Sequence, residues 1–102
     1  MAAGVPELAR LDAALEHRVR LAICVLLSRA DAISFARFKQ LLQQTDGNLG
    51  AQLRRLEDEG YVALRREFAE RKPVTWYSLT AKGRSALRAH VRALEGLLQI
   101  RG

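Results

Sequence analysis

The chain has 102 residues, a length that supports one compact domain and leaves little volume for a second. Its 17 Lys and Arg side chains against 11 Asp and Glu give a net charge of +6, which favours an anionic partner, although a solubilising surface has the same signature. The longest apolar run, residues 21–27, is too short to cross a bilayer, and residues 1–10 lack the regions of a secretion signal, so we expect a soluble, cytoplasmic protein without membrane contact.

The first third of the chain predicts two helices. Pro6 can begin a helix in which Leu8, Leu11 and Leu15 recur at helical spacing, so an amphipathic helix is expected from about residue 7 to 16. A break is expected at residues 17–19. The following segment, residues 19–28, is apolar almost all round and predicts a central buried helix.

Residues 31–60 predict a helix-turn-helix. Residues 31–34 indicate a turn and a short strand, after which Ser34 caps a helix over residues 35–42 with one apolar stripe. Gln43 and Gln44 form a short link, Thr45 caps the next helix over residues 46–59, and Gly60 ends it. Two helices joined by so tight a turn predict a helix-turn-helix over about residues 34–60.

The second of these helices has two different faces. Leu49, Leu53 and Leu56 fall on one side, and small or polar side chains fall on the opposite side and its flanks. Asn and Gln side chains can pair with adenine, and Arg can pair with guanine or phosphate, whereas the alternative is an ordinary solvated face. The candidate DNA-reading residues are Thr45, Asn48, Gly50, Ala51, Gln52, Arg54 and Arg55.

The next segment, about residues 61–79, predicts a β-hairpin. Strands are expected over residues 61–68 and 74–79, joined by residues 69–72. Exposed strands also carry charge to prevent edge pairing, which is the alternative explanation for Arg65 and Arg66. The candidate backbone or minor-groove contacts of this wing are Arg65, Arg66, Arg71 and Lys72.

The last segment, about residues 80–100, predicts a long helix capped by Thr80. Its apolar residues cover more than one side, so one side is available for a second copy of the chain; the alternative is packing within its own chain. The Arg84, Arg88 and Arg92 stripe is interpreted as a solvated face. The candidate dimer-interface residues are Leu8, Leu11, Leu15, Leu87, Val91, Leu94, Leu97 and Leu98.

Two runs carry a family resemblance: residues 53–62, LRRLEDEGYV, and residues 71–84, RKPVTWYSLTAKGR. They resemble the winged-helix transcriptional regulators of bacteria and archaea, and more narrowly the small MarR/ArsR-like winged-helix DNA-binding family. Residues 45–49, TDGNL, are similar to that family's opening of the recognition helix, and the resemblance extends over residues 11–98. It implies a homodimer that represses or activates genes, with its wing touching the minor groove.

The predicted fold is mainly α with a small β-hairpin (α+β). It is a single domain over residues 1–102, a winged helix-turn-helix with a long C-terminal dimerisation helix. The expected function is that of a sequence-specific regulator that binds double-stranded DNA as a dimer on an inverted repeat. The alternative is a winged-helix module that binds protein. Whether the protein also binds a small-molecule effector stays open.

An enzyme is the least favoured class. The sequence has no carboxylate pair, Ser/His/Asp set or Gly-rich phosphate loop with the spacing that catalysis or nucleotide binding needs. Cys24, His17 and His90 are too few and too scattered for a metal site, so no metal or cofactor is expected. Cys24 cannot form an internal disulfide, and its apolar helix favours a buried thiol over a peroxide sensor.

Overall fold

The computed structural model describes residues 4–101. The predicted fold class is confirmed: the protein is mainly helical with a small antiparallel sheet, and the longest helix lies at the C-terminal end. Among the described residues, no helix combines the length and the apolarity needed to span a membrane. The elements in chain order are α1 (Pro6–Arg10), a 3-10 turn (Ala13–Leu15), α2 (Arg18–Leu27), β1 (Ile33–Ser34), α3 (Phe35–Leu42), α4 (Asp46–Asp58), β2 (Val62–Ala69), β3 (Lys72–Leu79) and α5 (Ala81–Leu98).

Three hydroxyl side chains that the sequence predicts as helix N-caps each cap a helix in the structure. The hydroxyl of Ser34 accepts a hydrogen bond from the backbone N–H of Arg37 at 3.1 Å, which satisfies a free donor in the first turn of α3. Thr45 caps α4 in the same way, with a distance of 3.1 Å to the N–H of Asn48. Thr80 caps α5 through the N–H of Gly83 at 2.9 Å. All three predicted caps are confirmed.

The first helix is shorter than the prediction of residues 7–16. It ends at Arg10, and the backbone of Leu11 and Asp12 is extended. The Asp12 carboxylate accepts a hydrogen bond from the N–H of Ala14 at 2.9 Å and thereby caps a separate 3-10 turn. Leu15 lies in that turn and is only 1% exposed, so it packs in the domain's own core. Its assignment to a dimer interface is therefore wrong.

The core lies between α2, α3, α4 and the sheet. Ile23 and Leu27 of α2, Phe38 of α3 and Leu49 and Leu56 of α4 are fully buried. Of the break predicted at residues 17–19, only His17 lies outside a helix, because α2 begins at Arg18. The prediction of an all-round buried helix is only partly correct, since one side of α2 reaches the surface.

The sheet has three strands in the order β1-β3-β2. The hairpin is longer than predicted, because its strands pair continuously from the Val62–Leu79 pair to the Ala69–Lys72 pair. The connection is a two-residue turn at Glu70 and Arg71, whose φ values are +51° and +68°. Two positive φ values suit the strong twist of a tight hairpin. The predicted four-residue link is wrong, because Ala69 and Lys72 pair as strand residues. The short strand β1 also pairs with β3, an association that the sequence did not indicate.

Helix α5 packs on the domain through one side and leaves the other side exposed. Its buried residues are Gly83, Leu87, His90 and Ala93, of which His90 was not expected in the core. Leu87 is 7% exposed and belongs to the main core, so its assignment to a dimer interface is also wrong. The reason is that α1, α2 and β3 all pack against α5, which helical periodicity alone could not specify.

Candidate nucleic-acid interface

The turn between α3 and α4 has two local features, the backbone conformation of one residue and an ion pair across the turn. Gln43 ends α3 in the left-handed region with φ +53°, which lets the chain reverse within a few residues. The ammonium of Lys39 and the carboxylate of Asp46 are 2.6 Å apart across this turn. Both side chains are exposed, so we expect this ion pair to contribute little to stability. The tight turn places the N-terminal end of α4 at the surface.

Helix α4 shows one face to the core and the other to solvent. Leu49, Leu53 and Leu56 are at most 1% exposed, and this burial fixes the rotation of the helix about its axis. Ala51 and Arg54 lie on the opposite, exposed face. This arrangement agrees with the predicted orientation of the helix. The exposed set on this face is Thr45, Gly47, Ala51, Arg54 and Arg55, with Gly50 at its margin.

Asn48 and Gln52 belong to a continuous ladder of hydrogen bonds along one flank of α4. The Asn48 amide donates to the Gln44 side-chain carbonyl at 2.7 Å, and the Gln52 amide donates to the Asn48 carbonyl at 3.0 Å. The guanidinium of Arg20, on α2, donates to the Gln52 carbonyl at 2.7 Å. A second N–H of Arg20 donates to the carbonyl oxygen of Ala14 at 2.6 Å, so this arginine is itself fixed.

The ladder orders the two amides without exhausting them. A primary amide has two N–H donors and a carbonyl with two acceptor positions. Asn48 and Gln52 each use one donor and one acceptor position within the ladder. Each amide therefore keeps one free N–H and one free acceptor position. The sequence indicated these two amides as base readers, but it did not indicate Arg20 or Gln44 as their supports. The spacing of Gln44, Asn48 and Gln52 by four residues was the only available signal.

A groove of about 360 Å³ separates α4 from the β2–β3 hairpin. Gly50, Arg54 and Glu57 line it from the helix, and Leu64, Arg66 and Tyr77 line it from the hairpin. No carboxylate lies within 4 Å of the Arg54 or Arg66 guanidinium in the described part of the chain. The groove therefore presents two cations from different elements to the same open space.

The candidate cations of the hairpin do not all share one face. Side chains alternate along a strand, so Arg65 and Arg66 point to opposite faces of the hairpin. Arg65 lies 3.2 Å from the carboxylate of Glu67 on its own face, which offsets its charge. Arg66 lies on the face toward α4. Arg71 and Lys72 are at the exposed tip.

The remaining candidate interface residues lie on α1 and α5. Leu8 is 64% exposed and Leu98 is 85% exposed, whereas Val91 and Leu94 are each 39% exposed. Leu11 and Leu97 are half-buried. Together with the corrected positions of Leu15 and Leu87, six of the eight proposed residues keep surface for a partner.

The residues weighed for metal or redox chemistry have structural partners. The ring nitrogen of His17 accepts a hydrogen bond from the N–H of Val19 at 3.2 Å and caps α2. His90 accepts one from the N–H of Asp12 at 2.9 Å. Cys24 is fully buried, and burial, assisted by the negative charge of Asp12, raises the pKa of its thiol to about 12. A thiol with that pKa is a weak nucleophile at neutral pH.

A helix-turn-helix followed by a two-stranded wing defines the winged-helix class of proteins. The profile of the winged helix DNA-binding domain family matches residues 19–98. The chain belongs to this family, and the resemblance drawn from residues 53–62 and 71–84 is confirmed at that level.

Individual proteins extend the comparison. An uncharacterized protein of Methanocaldococcus jannaschii is 33% identical over 73 residues, which cover 72% of this chain and 79% of that protein. The structure of a transcriptional regulator homologue from Pyrococcus horikoshii OT3 superposes with a TM-score of 0.85 at 27% identity, covering 92% of this chain and 95% of that one. A Bacillus subtilis PadR structure with operator DNA has a TM-score of 0.64 at 19% identity. The match covers 84% of this chain and only 50% of PadR, and at that identity it shows the fold alone.

Proposed function

We propose that this protein is a transcriptional regulator that binds double-stranded DNA sequence-specifically, with α4 in the major groove. The observation that carries the proposal is the ordered amide ladder on the flank of α4, next to a groove lined by the cations Arg54 and Arg66. Amides held in position can distinguish base edges with little loss of side-chain entropy on binding.

The charge distribution along α4 sets its direction in the groove. The amides and small residues occupy its N-terminal half, whereas Glu57, Asp58 and Glu59 follow at its C-terminal end. Phosphates would repel these carboxylates, so the N-terminal half enters the major groove and the acidic end stays outside. Recognition helices of the helix-turn-helix class contact bases through their N-terminal residues in this way.

The candidate cations differ in their position and in their existing partners. Arg54 and Arg66 face the space between helix and wing, where they can contact phosphate, and Glu57 at the acidic end of α4 lines the same groove and offsets part of their charge. Arg71 and Lys72, at the wing tip, reach the backbone that borders the minor groove. Arg55 lies on the outer side of α4, 3.4 Å from Glu59, and can exchange this weak exposed pair for guanine or phosphate. Arg65, paired with Glu67, contributes least.

We further propose that the regulator is a homodimer on an inverted repeat. Val91, Leu94 and Leu98 form an exposed apolar stripe along α5, and Leu8 of α1 is also exposed. A two-fold axis at this surface would present two α4 helices about 34 Å apart, which matches half-sites about 10 base pairs apart. The Bacillus subtilis PadR structure with operator DNA supports DNA binding by this fold, and the dimer is argued from the exposed stripe alone.

The proposal is tested by selecting bound duplexes from a random pool and measuring their affinity against salt concentration. We expect enrichment of an inverted repeat and a logarithmic slope of about −0.9 for each phosphate neutralised. An unenriched pool with steep salt dependence would leave only non-specific DNA binding. Absence of duplex binding would overturn the proposal and favour a protein-binding module, whose largely apolar contact would weaken little with salt.

A further inference from the structure

Phe68 is the most exposed aromatic side chain among the described residues, with 74% of its surface accessible. It lies on β2 close to the wing tip, and its cross-strand neighbour is Pro73, which is also exposed. The two side chains form a small apolar pad. Pro73 also lines a pocket with Phe35 and Ala36 of α3, whereas Phe68 does not.

The position of Phe68 on the hairpin follows from strand alternation. Leu64, Arg66 and Phe68 share one face of β2, and Leu64 and Arg66 line the groove toward α4. Phe68 therefore continues that face by one further step of about 7 Å toward the tip. A duplex that contacts the exposed side of α4 would meet this face of the wing.

The tip is rigid enough to place an aromatic ring. Pairing continues to Ala69 and Lys72, directly beyond Phe68, and the turn consists of only Glu70 and Arg71. Both turn residues have positive φ, as a two-residue turn of this hand requires. The ring thus extends from a fully paired hairpin rather than from a loose loop.

The surroundings of the pad indicate the chemistry of its partner. Arg66 lies on one side of Phe68 along the strand, and Arg71 and Lys72 lie on the other. A protein partner in a stable complex covers about 800 Å² on each side, whereas one aromatic side chain buries about 150–250 Å². An apolar ring flanked by cations instead fits the DNA minor groove, which has deoxyribose walls and phosphate rims.

We propose that Phe68 is an apolar wedge that enters the minor groove beside the half-site read by α4. Apolar side chains inserted in this groove unstack base steps and bend the duplex, and flexible pyrimidine–purine steps yield most easily. This inference rests on the proposed DNA-binding function. It adds a contact that is insensitive to salt and a preference for deformable sequence at positions that α4 does not touch.

The test compares Phe68→Ala with the double variant Arg71→Ala/Lys72→Ala on the selected duplex over a range of salt concentrations. Phe68→Ala should weaken binding about tenfold to a hundredfold and leave the salt slope unchanged, because the lost contact is apolar. The charge variant should make the slope shallower by about two. Phe68→Leu should keep most of the affinity, and Val25→Ala, which removes exposed apolar surface from α2, should keep all of it.

Hydroxyl-radical cleavage locates the contact, since this reagent reports on sugars at the minor groove. Protection beside each half-site should be lost in Phe68→Ala and kept in Phe68→Leu. Unchanged affinity of Phe68→Ala, in a protein that otherwise binds its duplex, would overturn the wedge and leave the DNA-binding proposal intact. A change in sedimentation of Phe68→Ala without loss of duplex affinity would also overturn it, in favour of a protein contact. Failure of the unmodified protein to bind any duplex would overturn both.

Discussion

The phenol of Tyr61 donates a hydrogen bond to the carboxylate of Asp12, which joins the foot of the wing to the segment after α1. The backbone N–H of Asp12 in turn donates to His90 of α5 at 2.9 Å. One residue near the N-terminus therefore connects the wing and the C-terminal helix. Burial and this bond to Asp12 raise the pKa of Tyr61 above its usual value.

We expect Tyr61→Phe to lower the free energy of unfolding by about 1.5 to 3 kcal/mol, because a hydrogen bond to a charged group is lost and Asp12 keeps an unsatisfied oxygen. Urea denaturation measures the change. Tyr77→Phe is the matched control: Tyr77 is equally buried and contacts Phe38 edge to face, a ring contact that phenylalanine keeps. Equal losses in both variants would show that the Asp12 bond has no special role.

This connection explains which parts of the fold were predictable. The caps at Ser34, Thr45 and Thr80 depend on residues three positions away, and the sequence predicted all three. The end of α1 depends on contacts of Asp12 with residues 49 and 78 positions away, so helical periodicity extended the helix too far. The same limit applies to the candidate interface. The exposed face of α4 followed from its leucines, whereas the support of Gln52 by Arg20 required the fold.

Gly83 is expected to be intolerant of substitution. A Cβ atom there would lie 2.2 Å from the carbonyl oxygen of Tyr61 and 2.8 Å from a methyl group of Leu79, so the start of α5 would have to move. Gly83→Ala should destabilise the protein by about 1 to 3 kcal/mol, the usual range for overpacking. A thermal unfolding midpoint equal to that of the unmodified protein would contradict the close approach.

Gly50→Ala is the matched comparison on α4, since a Cβ atom at Gly50 meets nothing within 4 Å. Alanine should stabilise the helix by about 0.5 to 1 kcal/mol. If the DNA backbone or a base comes close to Gly50, this more stable variant should bind the selected duplex more weakly. A stable variant with unchanged affinity would remove Gly50 from the DNA contact.

Gln52 is expected to read a base with the help of Arg20. Gln52→Ala should reduce affinity for the selected site by about 1 to 3 kcal/mol and relax the preference at one position of each half-site. Arg20→Met keeps Gln52 but frees its carbonyl, so it should relax the same position to a smaller extent. Repeating the duplex selection with each variant measures both effects. Uniform weakening on all sequences would instead assign Gln52 to the phosphate backbone.

Cys24 should be unreactive in the folded protein. Its burial and its pKa of about 12 predict that a disulfide reagent at pH 8 labels it only as fast as the domain unfolds. Rapid labelling under native conditions would contradict the buried position.

The raised pKa values of Cys24 and Tyr61 also predict alkaline instability. The folded state holds protons that the unfolded state releases, so the free energy of unfolding should be level below about pH 9 and fall as the pH rises above it.

The exposed stripe of α5 determines whether the protein binds repeats or single half-sites. Leu94→Glu should dissociate a dimer formed through this stripe, because the interface would bury an unpaired charge. Ser85→Glu adds the same charge at an exposed position of the same helix and should leave the assembly intact. Sedimentation at micromolar concentration measures both variants. If the unmodified protein sediments as a monomer and binds one half-site as tightly as the inverted repeat, then Val91, Leu94 and Leu98 are solvent-exposed residues and the homodimer is wrong.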